Sequence, residues 1–213
     1  MEHEWLRGLA GKFVVFEGPD GSGKTTQFRR LTALLASGGV AYREVREPGG
    51  TLVGGDIRDI LLDHAHAAMS LRCEMLLYMA SRAQLVEQVI RPALERRELV
   101  LADRFVASTI AYQGAAGGLA IEDIRTVARV ATGGLEPDLV LVFDVDEETA
   151  ARRLSPLLDR MEAKGRAFHR KVRQGYLDQV REDPGRFVRV DAAAREDVVW
   201  ASMLHALRER LGS

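Results

Sequence analysis

Phe13-Val-Val-Phe-Glu17 runs directly into Gly18-Pro-Asp-Gly-Ser-Gly23-Lys24-Thr25, and this junction decides the fold. An apolar run of strand length, the spacing G-x-x-x-x-G-K-[ST], and an amphipathic stretch from Lys24 to Ala36 make the strand, loop and helix of a phosphate-binding loop. Glycines let successive backbone N–H groups curl toward an anion. The helix that follows presents its unpaired N–H groups and positive dipole end to the same charge. Lys24 adds a full positive charge near the β- and γ-phosphates, and the Thr25 hydroxyl suits Mg²⁺. At this chain's frequencies of Gly, Lys, Ser and Thr, a chance match has a probability on the order of 0.003. Gly18, Pro19, Asp20, Gly21, Ser22, Gly23, Lys24, Thr25 and Thr26 are therefore the candidate contacts to a nucleotide's phosphates.

Outward from this loop, short hydrophobic runs alternate with longer amphipathic stretches. That is the pattern of an α/β domain with a parallel sheet. Strands are expected at Phe13 to Glu17, Val40 to Val45, Leu99 to Asp103, Leu139 to Asp144 and Phe187 to Asp191, mostly apolar on both faces and so covered on both sides. Helices are expected at Lys24 to Ala36, Leu71 to Glu95, Ile121 to Ala131, Glu148 to Leu154, Ala163 to Arg181 and Arg195 to Arg210, with Pro92 kinking or ending the second. Gly114 to Gly118 reads as a flexible connection. No repeat, linker or low-complexity tract divides the chain.

Composition narrows the function further. The 213 residues are 46% apolar and 29% charged, enough for a full core without disulfides, and Cys73 has no partner for one. Thirty basic side chains balance 31 acidic ones, a net charge of −1, which argues against a general nucleic-acid coat. No apolar run reaches membrane-spanning length and the first residues lack a signal-peptide pattern, so a soluble, cytoplasmic protein without membrane partners is expected. Asn is absent altogether, which removes the Asn-Lys-x-Asp segment by which switch GTPases read guanine. A small-molecule phosphotransferase is favoured. Cys73 reads as a small buried hydrophobe, His64 and His66 lack a third metal ligand, and Trp5 and Trp200 read as packing residues.

Four further segments carry chemistry, although each also has an ordinary structural reading. Arg46-Glu-Pro48-Gly-Gly-Thr51 is a turn signal, placed where open α/β sheets bind ligands. Tyr78 and Arg82 share a helix face, which suits either a core Tyr beside a solvated Arg or a ring that stacks on a base while a guanidinium reads its carbonyl. Asp103-Arg104 ends a strand, with Ser108-Thr109 and Tyr112-Gln113 following; Asp103 suits either a strand-end cap or a carboxylate near Mg²⁺. Asp159-Arg160-Met-Glu162 and the stretch beyond it make a charged helix of a common kind.

Taken together with the phosphate loop, these segments resemble thymidylate kinases of the bacterial type along nearly the whole chain. The resemblance implies the three-layer nucleoside monophosphate kinase fold with a parallel five-stranded sheet, as a single domain over 1–213. It implies a phosphate loop at 18–25, a mobile lid at about 152–163, and a homodimer. It implies transfer of the γ-phosphate of ATP to dTMP, giving dTDP, with Mg²⁺ held by Thr25 and Asp103. Acceptor contacts would come from Asp20, Arg46, Pro48, Arg58, Tyr78, Arg82, Arg104, Thr109, Tyr112 and Gln113. Lys24, Arg104 and a lid arginine, Arg153 or Arg160, would be catalytic, with Arg152 a further candidate. The lid departs from the family pattern, because Ser155-Pro156 stands where an Arg-Gly pair is usual. Adenine would lie near Asp191-Ala192-Ala193. The alternatives are another nucleoside monophosphate kinase, or a regulatory module that binds ATP without turning it over. Cations suffice for the chemistry. A phosphomonoester is already mostly dianionic at neutral pH, so no general base is needed.

Overall fold

The computed structural model describes residues 4–153, 160–161 and 164–212. In it, β1 (Phe13–Glu17), β2 (Tyr42–Arg46), β3 (Leu99–Asp103), β4 (Leu139–Asp144) and β5 (Phe187–Asp191) form a parallel sheet in the order β2-β3-β1-β4-β5. The register pairs Phe16 with Asp103 and Glu17 with Val142, so β1 lies between β3 and β4. Strand order reverses across β1, and such a switch point opens a crevice at the carboxyl ends of the strands.

The helices are α1 (Lys24–Ser37), α2 (Leu52–Leu62), α3 (Leu71–Leu85), α4 (Arg91–Glu95), α5 (Val106–Thr109), α6 (Ile121–Thr132), α7 (Glu147–Arg153), α8 (Arg166–Glu182) and α9 (Glu196–Leu211). A π-helical turn, Val86–Ile90, joins α3 to α4, and another, Ile110–Ala116, extends α5. The helix expected from Leu71 to Glu95 is thus continuous in course, and Pro92 falls in the first turn of α4, directly after the π-helical turn.

Strand residues alternate between two cores. Val14 and Phe16 join Phe28, Leu31, Met203 and Leu207 under α1 and α9. Phe13 and Val15 join Ile90, Val172 and Tyr176 on the other face. Trp5 and Trp200 pack on the first core, as their isolation from the motifs suggests.

Some expectations need correction. β2 starts at Tyr42 and not at Val40, and α8 starts at Arg166 and not at Ala163. α2 is a helix that the sequence pattern does not predict, and it carries two poor helix formers, Gly54 and Gly55. Thr51 caps it, accepting from the Gly54 N–H at 2.9 Å, and a Cβ at Gly54 would come within 2.8 Å of the Gly49 carbonyl, so glycine is required there. In the Gly114 to Gly118 stretch, residues 114–116 belong to the π-helical turn that extends α5, with Gly114 buried against Ile121 and Ile124, while Gly118 is exposed. Cys73 is exposed, because it lies off the α3 face that buries Met75 and Met79. Most of the lid at 152–163, including Ser155-Pro156, Asp159 and Glu162, lies outside the described residues.

Candidate active site

The phosphate loop is built by its backbone. Gly18 has φ 135°, and a Cβ there would lie 2.4 Å from the Phe143 carbonyl oxygen on β4. Lys24 folds over the loop, its Nζ donating to the carbonyls of Gly18 at 2.9 Å and Pro19 at 3.1 Å. Burial lowers the Lys24 pKa to about 8, helped by Arg104 and opposed by Asp103, Asp20 and Glu17. Thr25 and Thr26 are exposed in the first turn of α1. Arg153, at the end of α7, donates to the Ala192 carbonyl at 3.0 Å and lies 4.0 Å from where a Gly23 Cβ would stand. It therefore joins the phosphate loop to the 191–193 segment. Arg152 points elsewhere, donating to Glu148 at 2.9 Å and Thr149 at 2.9 Å on its own helix.

Beside the loop, a groove is walled by Asp20, Arg46, Pro48, Arg58, Tyr78, Arg104, Thr109, Tyr112 and Gln113, together with Glu47, Leu62, Ser108 and Met161. These residues come from segments spread over most of the chain, and the switch point gathers them. Arg104 is central. Its Nη2 donates to Asp20 at 2.6 Å, its Nη1 donates to Ser108 Oγ at 3.0 Å and Tyr176 Oη at 3.1 Å, and its guanidinium stacks over the Tyr112 ring at 5.3 Å. Burial would raise the Asp20 carboxyl, but Arg104 and Lys24 together hold it well below the usual range.

Beneath Arg104 lies Glu17, which the sequence presented only as the last residue of a strand. Fully buried, it accepts from the Phe105 N–H at 2.8 Å, the Ser108 N–H at 3.1 Å, the Ser108 hydroxyl at 2.6 Å and the Tyr176 hydroxyl at 2.9 Å. Burial raises its pKa against the opposing pull of Arg104 and these donors.

Arg82 and Arg160 differ from expectation. Arg82 is 1% exposed and does not line the groove; its Nη2 reaches Glu47 at 2.6 Å, the Phe105 carbonyl at 3.0 Å and Thr109 Oγ1 at 3.2 Å. It braces the groove wall from behind. Burial pushes the Glu47 carboxyl up to about 7, against the pull of Arg82. Arg160 is paired with buried Glu74 at 2.7 Å and donates to the Leu61 carbonyl at 2.8 Å, which puts it on the groove side and not over the phosphate loop. Glu74, unremarked as a charge in the sequence pattern, also binds Lys164 at 3.3 Å and Gln113 at 2.8 Å. Arg46 reaches Asp103 at 3.7 Å, and Arg58 donates to the Pro48 carbonyl at 3.0 Å.

A roomier cavity of about 480 Å³ opens on the far side of Glu17, among Phe105, Ala128, Leu135 and Phe187. Its rim charges pair with one another, Arg125 with Glu182 and Arg186 with Glu136, and do not converge on a common point. The chemistry belongs to the narrower groove.

A model of the family described as thymidylate kinase matches residues 16–202, from the end of β1 into α9. The chain belongs to the thymidylate kinase family. A thymidylate kinase from Deinococcus radiodurans is 48% identical over 204 residues, covering 94% of this chain and 98% of that protein. One from Exiguobacterium sp. is 45% identical over 205 residues, covering 95% and 97%. The crystal structure of thymidylate kinase from Ehrlichia chaffeensis superposes with a TM-score of 0.73 at 29% identity, covering 92% of this chain and 98% of that one. The superposition covers nearly all of the fold described above, and the phosphate loop and the Arg104 groove both lie within the residues that the family model matches.

Proposed function

We propose that this chain transfers the γ-phosphate of ATP to dTMP, giving ADP and dTDP, as one kinase domain over 1–213 with 152–163 as its lid. The observation that carries this reading is the Arg104–Asp20 pair, which sets an anion-binding guanidinium from β3 against the phosphate loop of β1 within one crevice. Arg104 offers a planar fork matched to a phosphate, and the groove beside it runs to Tyr78, Thr109 and Gln113, which can take a base. Tyr112, which donates to Asp20 at 3.0 Å, closes the sugar end and disfavours a 2′-hydroxyl.

The donor side falls to the loop residues 18–26. Backbone N–H groups would hold the β-phosphate, and Lys24 would exchange its carbonyl partners for phosphate oxygens. Arg153, already against the loop, is the cation best placed to follow the transferring group. The residues present also fit Mg²⁺. Asp103 Oδ1 is buried and has no hydrogen-bond partner among the described residues, an acceptor suited to a hard cation or its water shell. With Thr25 it would hold the ion, which when bound neutralises charge on the phosphate oxygens. With both nucleotides in line, the protein's work is positioning and charge neutralisation.

Among the described residues no helix is long and apolar enough to cross a membrane, and we place the chain in the cytoplasm without nucleic-acid partners. Exposed Leu52, Val53 and Ile60 on α2, Leu76 on α3 and Val130 on α6 favour a homodimer through these helices. Coupled ADP release with dTMP, dUMP, dCMP, dGMP and AMP tests the function. Strong preference for dTMP is expected. Equal turnover of AMP would make the chain a different monophosphate kinase, and no turnover would make it a binding module.

A further inference from the structure

Arg104 sits in an unusual backbone state. Its φ is +75°, in the left-handed region that a residue with a long side chain rarely adopts, and its N–H donates to the Phe16 carbonyl at 3.0 Å. Something must hold it there. The backbone N–H groups of Phe105, just before α5, and of Ser108, within it, both donate to Glu17 Oε1, at 2.8 and 3.1 Å. Glu17 Oε2 takes the hydroxyls of Ser108, at 2.6 Å, and Tyr176, at 2.9 Å. Those same two oxygens receive Arg104 Nη1, at 3.0 and 3.1 Å.

A hydroxyl has one proton to give. Ser108 and Tyr176 also lie 2.8 Å apart, so one of them can pass its proton through the other, yet the terminal acceptor in either arrangement is Glu17. Neither proton is left to face Arg104, and both hydroxyls show it lone pairs. Burial and the nearby Glu17 keep the Tyr176 phenol protonated, well above its ordinary range, so it remains a donor.

We propose that Glu17 is a positioning residue for the acceptor phosphate: by drawing the Ser108 and Tyr176 protons toward itself it keeps both hydroxyls as acceptors for Arg104 and so fixes the direction of the guanidinium. This rests on the reading that Arg104 binds the dTMP phosphate. An amide at position 17 has the same shape but the wrong polarity. Its NH₂ would donate to the hydroxyls, turn their protons toward Arg104, and disorient the fork before dTMP arrives.

The test is a double-mutant cycle on KM. Glu17→Gln is expected to raise KM for dTMP about tenfold, a loss typical of one charged hydrogen-bonded arrangement, while KM for ATP changes less than about twofold. Ser108→Ala and Tyr176→Phe, each removing one relay hydroxyl, should raise KM for dTMP about threefold, and they decide the matter if Glu17→Gln does not fold. In an Arg104→Met background each of these changes should add less than about twofold, because the group they act through is gone. Full additivity in that background, or equal effects on the two KM values, would make Glu17 a structural residue only and overturn the inference. If Arg104→Met itself leaves KM for dTMP unchanged, the assignment of Arg104 to the acceptor fails, and this inference fails with it.

Discussion

The two halves of the crevice are built in different ways. On the donor side, Lys24 meets its partners Gly18 and Pro19 within its own loop, and the backbone supplies most of the site. On the acceptor side, Tyr176 meets Glu17 across 159 residues and Arg104 meets Asp20 across 84, and side chains supply nearly everything. A site made of consecutive backbone groups takes its shape mainly from its own loop. A site made of distant charges depends on each partner having the right polarity, and one wrong proton is enough to disorder it.

The largest test of this contrast is Lys24→Ala. Steady-state kinetics should show kcat lowered roughly 10²- to 10³-fold, as when a preorganised electrostatic group is removed, with KM for dTMP within about threefold of wild type. A comparable rise in KM for dTMP would mean the two halves are not separable.

Next comes Arg82→Ala, which removes the brace behind the acceptor groove and strands the Glu47 carboxyl in the core. Denaturant unfolding at pH 8 should show a loss of about 3 kcal/mol or more, as for a buried pair broken from one side. At pH 5 the loss should shrink, because the stranded carboxyl takes up a proton. In the wild type Glu47 already binds its proton more tightly folded, at about 7 against an ordinary 4.5. The stability from that proton is fully present below about 4.5 and lost as pH rises through about 7. Glu47→Gln should therefore gain in thermal midpoint relative to wild type between pH 5 and pH 8.

The paired arginines of the lid region divide the two sides most directly. Arg153→Ala should lower kcat at least about tenfold with both substrates saturating, whereas Arg160→Ala should act mainly on KM for dTMP, through the Glu74 cluster. The reverse outcome would move the catalytic cation to Arg160. The smallest effect is in pH dependence: kcat/KM for ATP should fall above about pH 8 as Lys24 loses its proton, and Lys24→Arg should abolish that limb.

The thymidylate kinase resemblance was legible because it rides on local spacing. The phosphate loop needs a strand, glycines and a helix in immediate succession, and the apolar strands announce a covered parallel sheet without any knowledge of their order. Groove residues such as Tyr78, Thr109 and Tyr112 were placed by their motifs, and the structure brings them together. α2 escaped because its glycines suit a loop as well as a helix closely packed on Gly49.

What the sequence could not decide is which charges meet. Arg82 and Arg160 each carry a guanidinium long enough to serve a ligand or a buried carboxylate, and only the folded chain, which brings Arg82 of α3 to Glu47 after β2 and Arg160 to Glu74 of α3, shows which carboxylate claims each. Glu17 ends a strand in sequence and anchors a network in space. Local backbone geometry follows from neighbouring residues, so the sequence by itself determined the phosphate loop and the layered fold. Electrostatic partnership falls off with distance in space and not along the chain, so the folded structure alone decided how the acceptor arginine is held.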